Sequence, residues 1–314
     1  MITVVLLAVL LLAAVPAFAQ PQETIVFTPQ WTAQAQFAGY YAALEKGFYA
    51  DEGLSVVIDH PNATRTSMDR TLSKHAQVTT MPVTEAIEAL DHGIELVNLL
   101  QTSMNSSLML VSRRGANPLS QRGAKVSCFR AGYSQLAKCM AQDNKLEYQW
   151  IEAANMLNLF IAGAVDASLA MSYSEYYQFL QTGIIDKNEN LVYRFRDNGY
   201  NIQEDGLYMT REEYKKNPER AQKFARASQR GWEWVVKNPE EAIQIVMKQV
   251  RINHIATNAT LQRLMLEEIL DLMEDYETGQ REYQLKEEMF NQAVLILLRG
   301  EVISKEHNIK ELLP

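Results

Sequence analysis

The amino-acid sequence predicts an α/β protein of two lobes, each a mixed sheet flanked by helices, with a cleft between them. Three observations carry this. Residues 24–58 read as strand, helix, strand, a βαβ unit of the kind that is nearly always right-handed. A second series of strands and helices begins at Asn117, after an arginine pair and a glycine at 113–115. Strands at 108–111 and 207–210 stand where the chain would cross from one series to the other and return. With 314 residues the chain is long enough for two lobes. The expected boundaries are 20–109 with 207–314 for the first lobe and 110–206 for the second.

Taken in order, Thr24, Ile25, Val26, Phe27 and Thr28 form a short β-branched, apolar strand. Pro29 ends it, since proline has no ladder N–H. Phe37, Tyr40, Tyr41, Leu44 and Phe48 then fall at helical spacing on one face. Gly47 and Gly53 stop that helix before a strand at 54–58. A polar stretch at 61–74 leads into a helix near Ser67. Strands follow at 77–81, 94–100 and 107–111, with Pro82 expected in the first turn of a helix that ends at Asp91. In the second series, strands are expected at 123–129, 147–151, 163–170 and 191–195. Asn217-Pro218-Glu219 and Asn238-Pro239-Glu240 are two helix starts, with Asn as cap, Pro at the first position and Glu in the first turn. From Asn258 onward, Leu and Met alternate with Glu at helical spacing, which predicts amphipathic helices packed on the first lobe.

Composition narrows the function. Apolar residues make up 47% and charged residues 22%, an ordinary globular balance. Thirty basic and 38 acidic side chains leave a net charge of −8, which argues against nucleic acid and anionic membrane surfaces as main partners. Residues 2–15 are an apolar run too short for a comfortable membrane span, and Ala17-Phe18-Ala19 follows it. We read residues 1–19 as a secretory signal cut after Ala19, which places the mature chain in the periplasm. Two readings are open for Cys128 and Cys139, a disulfide or two small core residues. Five scattered histidines show no zinc spacing. There is no nucleophile elbow, no Walker-type phosphate loop and no His-x-x-x-His, so neither an enzyme nor a cofactor is expected.

In open α/β sheets ligands bind beyond the carboxyl ends of the strands. The loop at that end of the first strand carries Gln30, Trp31, Thr32 and Gln34, an aromatic between amides and a hydroxyl, which suits a small polar ring. Tyr133 and Tyr173 occupy matching turns of the second series, with simple core packing as the competing reading. Met81 ends the third strand. Glu175 is either a ligand acceptor or a first-turn helix glutamate favoured by the macrodipole. Asp205, with Glu204 beside it, is either a ligand group or a stabiliser of the return crossing.

The stretch FTPQWTAQAQFAGYYAALEKGFYADEGL at 27–54 resembles the start of periplasmic solute-binding proteins of the nitrate, sulfonate and thiamine-pyrimidine-precursor group. The likeness continues to about Gln249. It takes in Gly163-Ala164-Val165-Asp166-Ala167, the sequence Glu204-Asp205-Gly206-Leu207, and the helices PERAQKFARASQRGWEWVVKNPEEAIQIV. The group often has Tyr-Asn-Glu where this chain has Tyr173-Ser174-Glu175, so one amide contact is missing. The resemblance implies a two-lobed, type II periplasmic binding fold and favours the ligand role for Glu175. It also implies a monomer that hands a small molecule, first of all a thiamine pyrimidine precursor, to an ABC permease. A domain reporting to a membrane sensor kinase, a nitrate, sulfonate or taurine binder, and a pyrimidine synthase are the alternatives. The run of cysteines found in the eukaryotic synthases of this superfamily is absent. The cleft loops offer only Arg65 and Arg130 as cations, which favours a neutral or cationic ring over an anion.

Overall fold

A computed structural model describes residues 24–62, 64–113, 117–129, 134–153, 155–185 and 191–314. The expected signal segment lies outside these residues. No helix among the described residues is long and apolar enough to cross a membrane.

Two five-stranded sheets form the molecule. The first contains β1 (Thr24–Thr28), β2 (Ser55–Ile58), β3 (Val78–Pro82), β4 (Leu96–Gln101) and β10 (Asp205–Thr210), in the order β2-β1-β3-β10-β4. β1 pairs in parallel with β2 and β3, while β10 runs antiparallel to β3 and β4. The second contains β5 (Leu108–Ser112), β6 (Lys125–Cys128), β7 (Gln149–Glu152), β8 (Ala167–Met171) and β9 (Val192–Arg194), in the order β7-β6-β8-β5-β9. Here β6 pairs in parallel with β7 and β8, and β5 is antiparallel to β8 and β9. Each sheet is therefore parallel with antiparallel strands added by the crossing chain. The crossings themselves fall earlier than their sequence cues. β5 lies wholly in the second sheet, so the chain passes over at 102–107. β10 lies wholly in the first, so the return is complete by Glu204.

The first helix begins later than its apolar pattern. A 3-10 turn at Ala35–Phe37 leads into α1 (Ala38–Glu45), and Gly47, with φ +77°, separates it from α2 (Phe48–Asp51). Tyr40 and Tyr41 are both fully buried, so neither faces solvent. α3 (Ser67–Leu72) starts where expected, because Thr66 and Asp69 close a capping box. Pro82 is the last residue of β3 and the cap of α4 (Val83–Asp91), one position before the expected site; its missing N–H is harmless in either place.

In the second lobe, α5 (Gln135–Asp143), α6 (Met156–Ile161) and α7 (Glu175–Gln181) cover the sheet. Phe160 and Phe179 stack at 4.6 Å between α6 and α7, in a small separate core with Val111 and Ala170. Cys128 and Cys139 are buried and free, which selects the core reading for both.

After α8 (Arg211–Lys216), the two Asn-Pro starts open α9 (Pro218–Lys237) and α10 (Pro239–Ile252). Asn217 accepts from the Arg220 backbone N–H as a cap should. Asn238 instead donates its amide back to the Trp234 carbonyl. α11 (Ala259–Leu272) packs near the 3-10 turn of the first lobe. α12 (Glu287–Arg299) corrects an expectation, since it touches α4 in the first lobe and α5 in the second. A Cβ on Gly300 would sit 2.0 Å from the Cys139 Sγ, and Arg299 pairs with Asp143 at 2.7 Å. Cys139 and Asp143 belong to α5, so the C-terminal region spans both lobes.

Candidate functional site

The loop after β1 is held from below by the first sheet. The Gln30 backbone N–H donates to Thr80 Oγ1 at 2.9 Å. Gln30 Nε2 donates to one oxygen of Asp205 at 2.7 Å, and Gln36 Nε2 to the other at 2.6 Å. Gln34 Nε2 donates in turn to Gln36 Oε1 at 2.7 Å. Two amides from the chain just after β1 therefore converge on one carboxylate at the start of β10, with Gln34 joined to it through Gln36. Burial pushes the Asp205 carboxyl above its ordinary range, while the Gln36 and Gln30 donors pull it down. The main chain there is equally tied: the Asp205 carbonyl accepts from the Thr102 N–H at 2.9 Å and the Ser103 N–H at 3.1 Å.

The facing wall comes from the turn between β8 and α7. Tyr173 is 6% exposed. Glu175 Oε2 accepts from the Met171 backbone N–H at 3.1 Å. Burial raises its carboxyl, and the backbone bonds from Met171 and Glu175 oppose the shift. Glu175 is thus in the first helical turn, as its competing reading required, and also at the cleft.

A cavity of about 20 Å³, about enough for one water, lies where the walls meet. Trp31, Gln34, Gln36, Phe129, Tyr173 and Glu175 line it. A second of the same volume shares Gln36 and Tyr173 and continues inward past Thr102 to Asp205, Glu204 and Trp232. Outside, a vestibule of about 260 Å³ opens beside Trp31 and Glu175 and is bounded by Thr257, Leu261 and Met265 near α11. No Lys or Arg among the described residues lines any of the three. Aromatic faces for a flat ring and carboxylates for its N–H groups are what this chamber offers.

Trp31, Gln34, Tyr173, Glu175 and Asp205 thus meet at one chamber, and Gln30 supports it from behind. Met81 does not: it is 1% exposed in β3, opposite Gly206, in the core of the first lobe. Arg65 is exposed on its loop. Tyr133 and Arg130 lie outside the described residues. Sequence reasoning missed Gln36, Phe129 and Trp232. Gln36 was within the quoted loop motif, and its amide was the available signal. Trp232 lies about two hundred residues downstream on a helix, and nothing local marks it.

Glu204 lines the inner end of the chamber and ties the two crossings together. It accepts from the Ser106 hydroxyl at 2.6 Å, the Ser107 N–H at 2.9 Å and the Ser107 hydroxyl at 2.5 Å. Burial pushes its carboxyl up to about 7 despite these donors.

Two α/β lobes joined by paired crossings, with a polar and aromatic chamber between them, make the fold of a two-lobed periplasmic binding protein. Among solved structures, this chain is similar to a ligand-binding component of an ABC-type import system from Staphylococcus aureus, with TM-score 0.67 and 9% identity over 93% of this chain and 97% of that one. It is similar also to the periplasmic aliphatic sulphonate-binding protein SsuA from Escherichia coli, with TM-score 0.64 and 14% identity over 93% of this chain and 92% of that one. The family model described as NMT1/THI5 like matches residues 34–242, and the chain belongs to that family. A formylaminopyrimidine-binding protein from Halalkalibacterium halodurans is 23% identical over 236 residues, covering 72% of this chain and 70% of the relative.

Proposed function

We propose that this chain is an exported, periplasmic solute-binding protein that captures an aminopyrimidine of the thiamine-precursor type and passes it to an ABC permease. One observation carries the reading. Trp31 from the first lobe and Glu175 from the second line the same cavity, with Asp205 in the adjoining one and no Lys or Arg among the described residues lining either. A flat heterocycle stacked between Trp31 and Tyr173 would present ring or exocyclic N–H groups to these carboxylates. An anion such as a sulfonate would meet acids where it needs donors. The formylaminopyrimidine-binding relative supports the same ligand class. It also supports binding and delivery rather than catalysis. Because about 20 Å³ of room separates the walls, entry requires the lobes to part, and closure completes the site.

Calorimetric titration tests this. A formylaminopyrimidine is expected to bind in the micromolar range or tighter, and taurine not at all. Tight binding of taurine with none of the pyrimidine would overturn the reading.

A further inference from the structure

Trp31 is 41% exposed, yet its loop is fastened to the body of the first lobe by two residues outside the chamber. His60 lies just after β2, and its Nδ1 is 2.6 Å from the Trp31 carbonyl oxygen. A carbonyl only accepts, so Nδ1 carries the proton. In the neutral ring Nε2 is then an acceptor, and the Tyr41 hydroxyl lies 2.8 Å from it. The line runs Tyr41 hydroxyl, His60 ring, Trp31 carbonyl. The Trp31 end of the loop is clipped by it, and Phe37 packs on the imidazole with ring centroids 5.6 Å apart.

We propose that Tyr41 and neutral His60 form a brace that positions the Trp31 loop for ligand. This rests on the ligand site proposed above, but the brace itself is a property of the empty protein. Neither residue touches the chamber, so both act through Trp31 and are positioning residues. Burial holds the His60 imidazole down at about 4, against the opposing effects of the Trp31 carbonyl and Asp59. Asp59 is engaged with Arg70 and lies 3.0 Å from His75 Nε2, and Arg70 also disfavours a charge on His60. The ring therefore stays neutral, and the brace intact, through the mildly acidic range.

Hydrogen exchange of the ligand-free full chain tests the brace without reference to any ligand. The peptide covering 31–36 should exchange roughly tenfold faster in His60→Leu, which leaves the Trp31 carbonyl unpaired. His60→Gln keeps an amide N–H for that carbonyl and an oxygen toward Tyr41, so it should restore slow exchange. Where His60→Leu does not fold, Tyr41→Phe removes only the hydroxyl and should speed exchange in the same peptide. Unchanged exchange at 31–36 in the folded variant overturns the proposal, as does equal acceleration across the whole first lobe or failure of Gln to rescue. The pyrimidine titration is repeated on each variant. A parent that does not bind defeats the ligand assignment alone, while a parent that binds and a His60→Leu variant that binds equally well defeat the brace.

Discussion

Trp31 owes its place to main-chain anchoring, not to a buried ring. The residue is 41% exposed and lines both the inner cavity and the vestibule, while its carbonyl is fixed by His60. Little of the protein's core leans on that ring. Trp31→Ala is therefore expected to weaken pyrimidine binding roughly tenfold to a hundredfold, the loss of one stacking aromatic, with the melting temperature of the empty protein within a few degrees of the parent. Calorimetry and a thermal melt on the same preparation check both halves; a large drop in melting temperature would mean that the ring is core. At this scale the sequence was partly legible. The mixture of aromatic and amide side chains around Trp31 marked a wall of the chamber, and Tyr173 and Glu175 were readable at the matching turn. Met81 was misplaced because strand ends look alike in sequence, and which face a side chain takes depends on register. His60 was silent because its partners, Trp31 and Tyr41, are brought to it by the βαβ turn.

Among the elements, α1 and α9 cross with their backbones nearly in contact. A Cβ on Gly231 would lie 2.1 Å from the Gly39 carbonyl oxygen, and a Cβ on Gly39 2.2 Å from Trp232 Cδ2. The two helix backbones approach within a distance that only glycine permits, which seats Trp232 at 1% exposure beneath the chamber. Gly231→Ala meets backbone, which cannot rotate aside. It should cost roughly 1–3 kcal/mol, read as a melting temperature several degrees lower. A variant that melts with the parent would show that the helices can part cheaply. The helices were well announced, because Asn-Pro-Glu names a helix start by cap chemistry. Their partners were not. α12 carries an apolar face that fits the flank of either lobe, and amphipathic spacing says only that something covers it. Gly300, shaved to accommodate Cys139 of α5, decides the matter.

Across the whole molecule, two lobes meet through a pair of chain crossings, and Glu204 is the group that laces those crossings together. Its carboxyl titrates at about 7 in the fold against about 4.5 in an ordinary setting. Between those values the folded chain retains a proton that the unfolded chain has released, so this group's contribution is full below about pH 4.5 and is lost as pH rises through about 7. Glu204→Gln cannot titrate. The melting temperature of the variant relative to the parent should therefore climb between pH 4.5 and 7, and a difference that stays flat across that range would exclude the coupling. The two-lobed plan was legible from the two βα series. The points of crossing were not, because β5 and β10 are ordinary apolar strands. The sheet that accepts each one is settled by pairing far along the chain.

The Thr102 N–H and the Asp205 carbonyl, where the chain leaves the first sheet and where it comes back, are 2.9 Å apart. The second lobe is consequently an insert mounted on two adjacent stems. Every strand of the first sheet would survive its excision or exchange, with the contacts of α12, of Glu88 with Gln135 and of Tyr276 with Arg196 to be rebuilt. Such a plan lets one half of a binding chamber be traded for another of the same footprint, so that the range of guests can diversify while the half bearing Trp31 and Asp205 stays put.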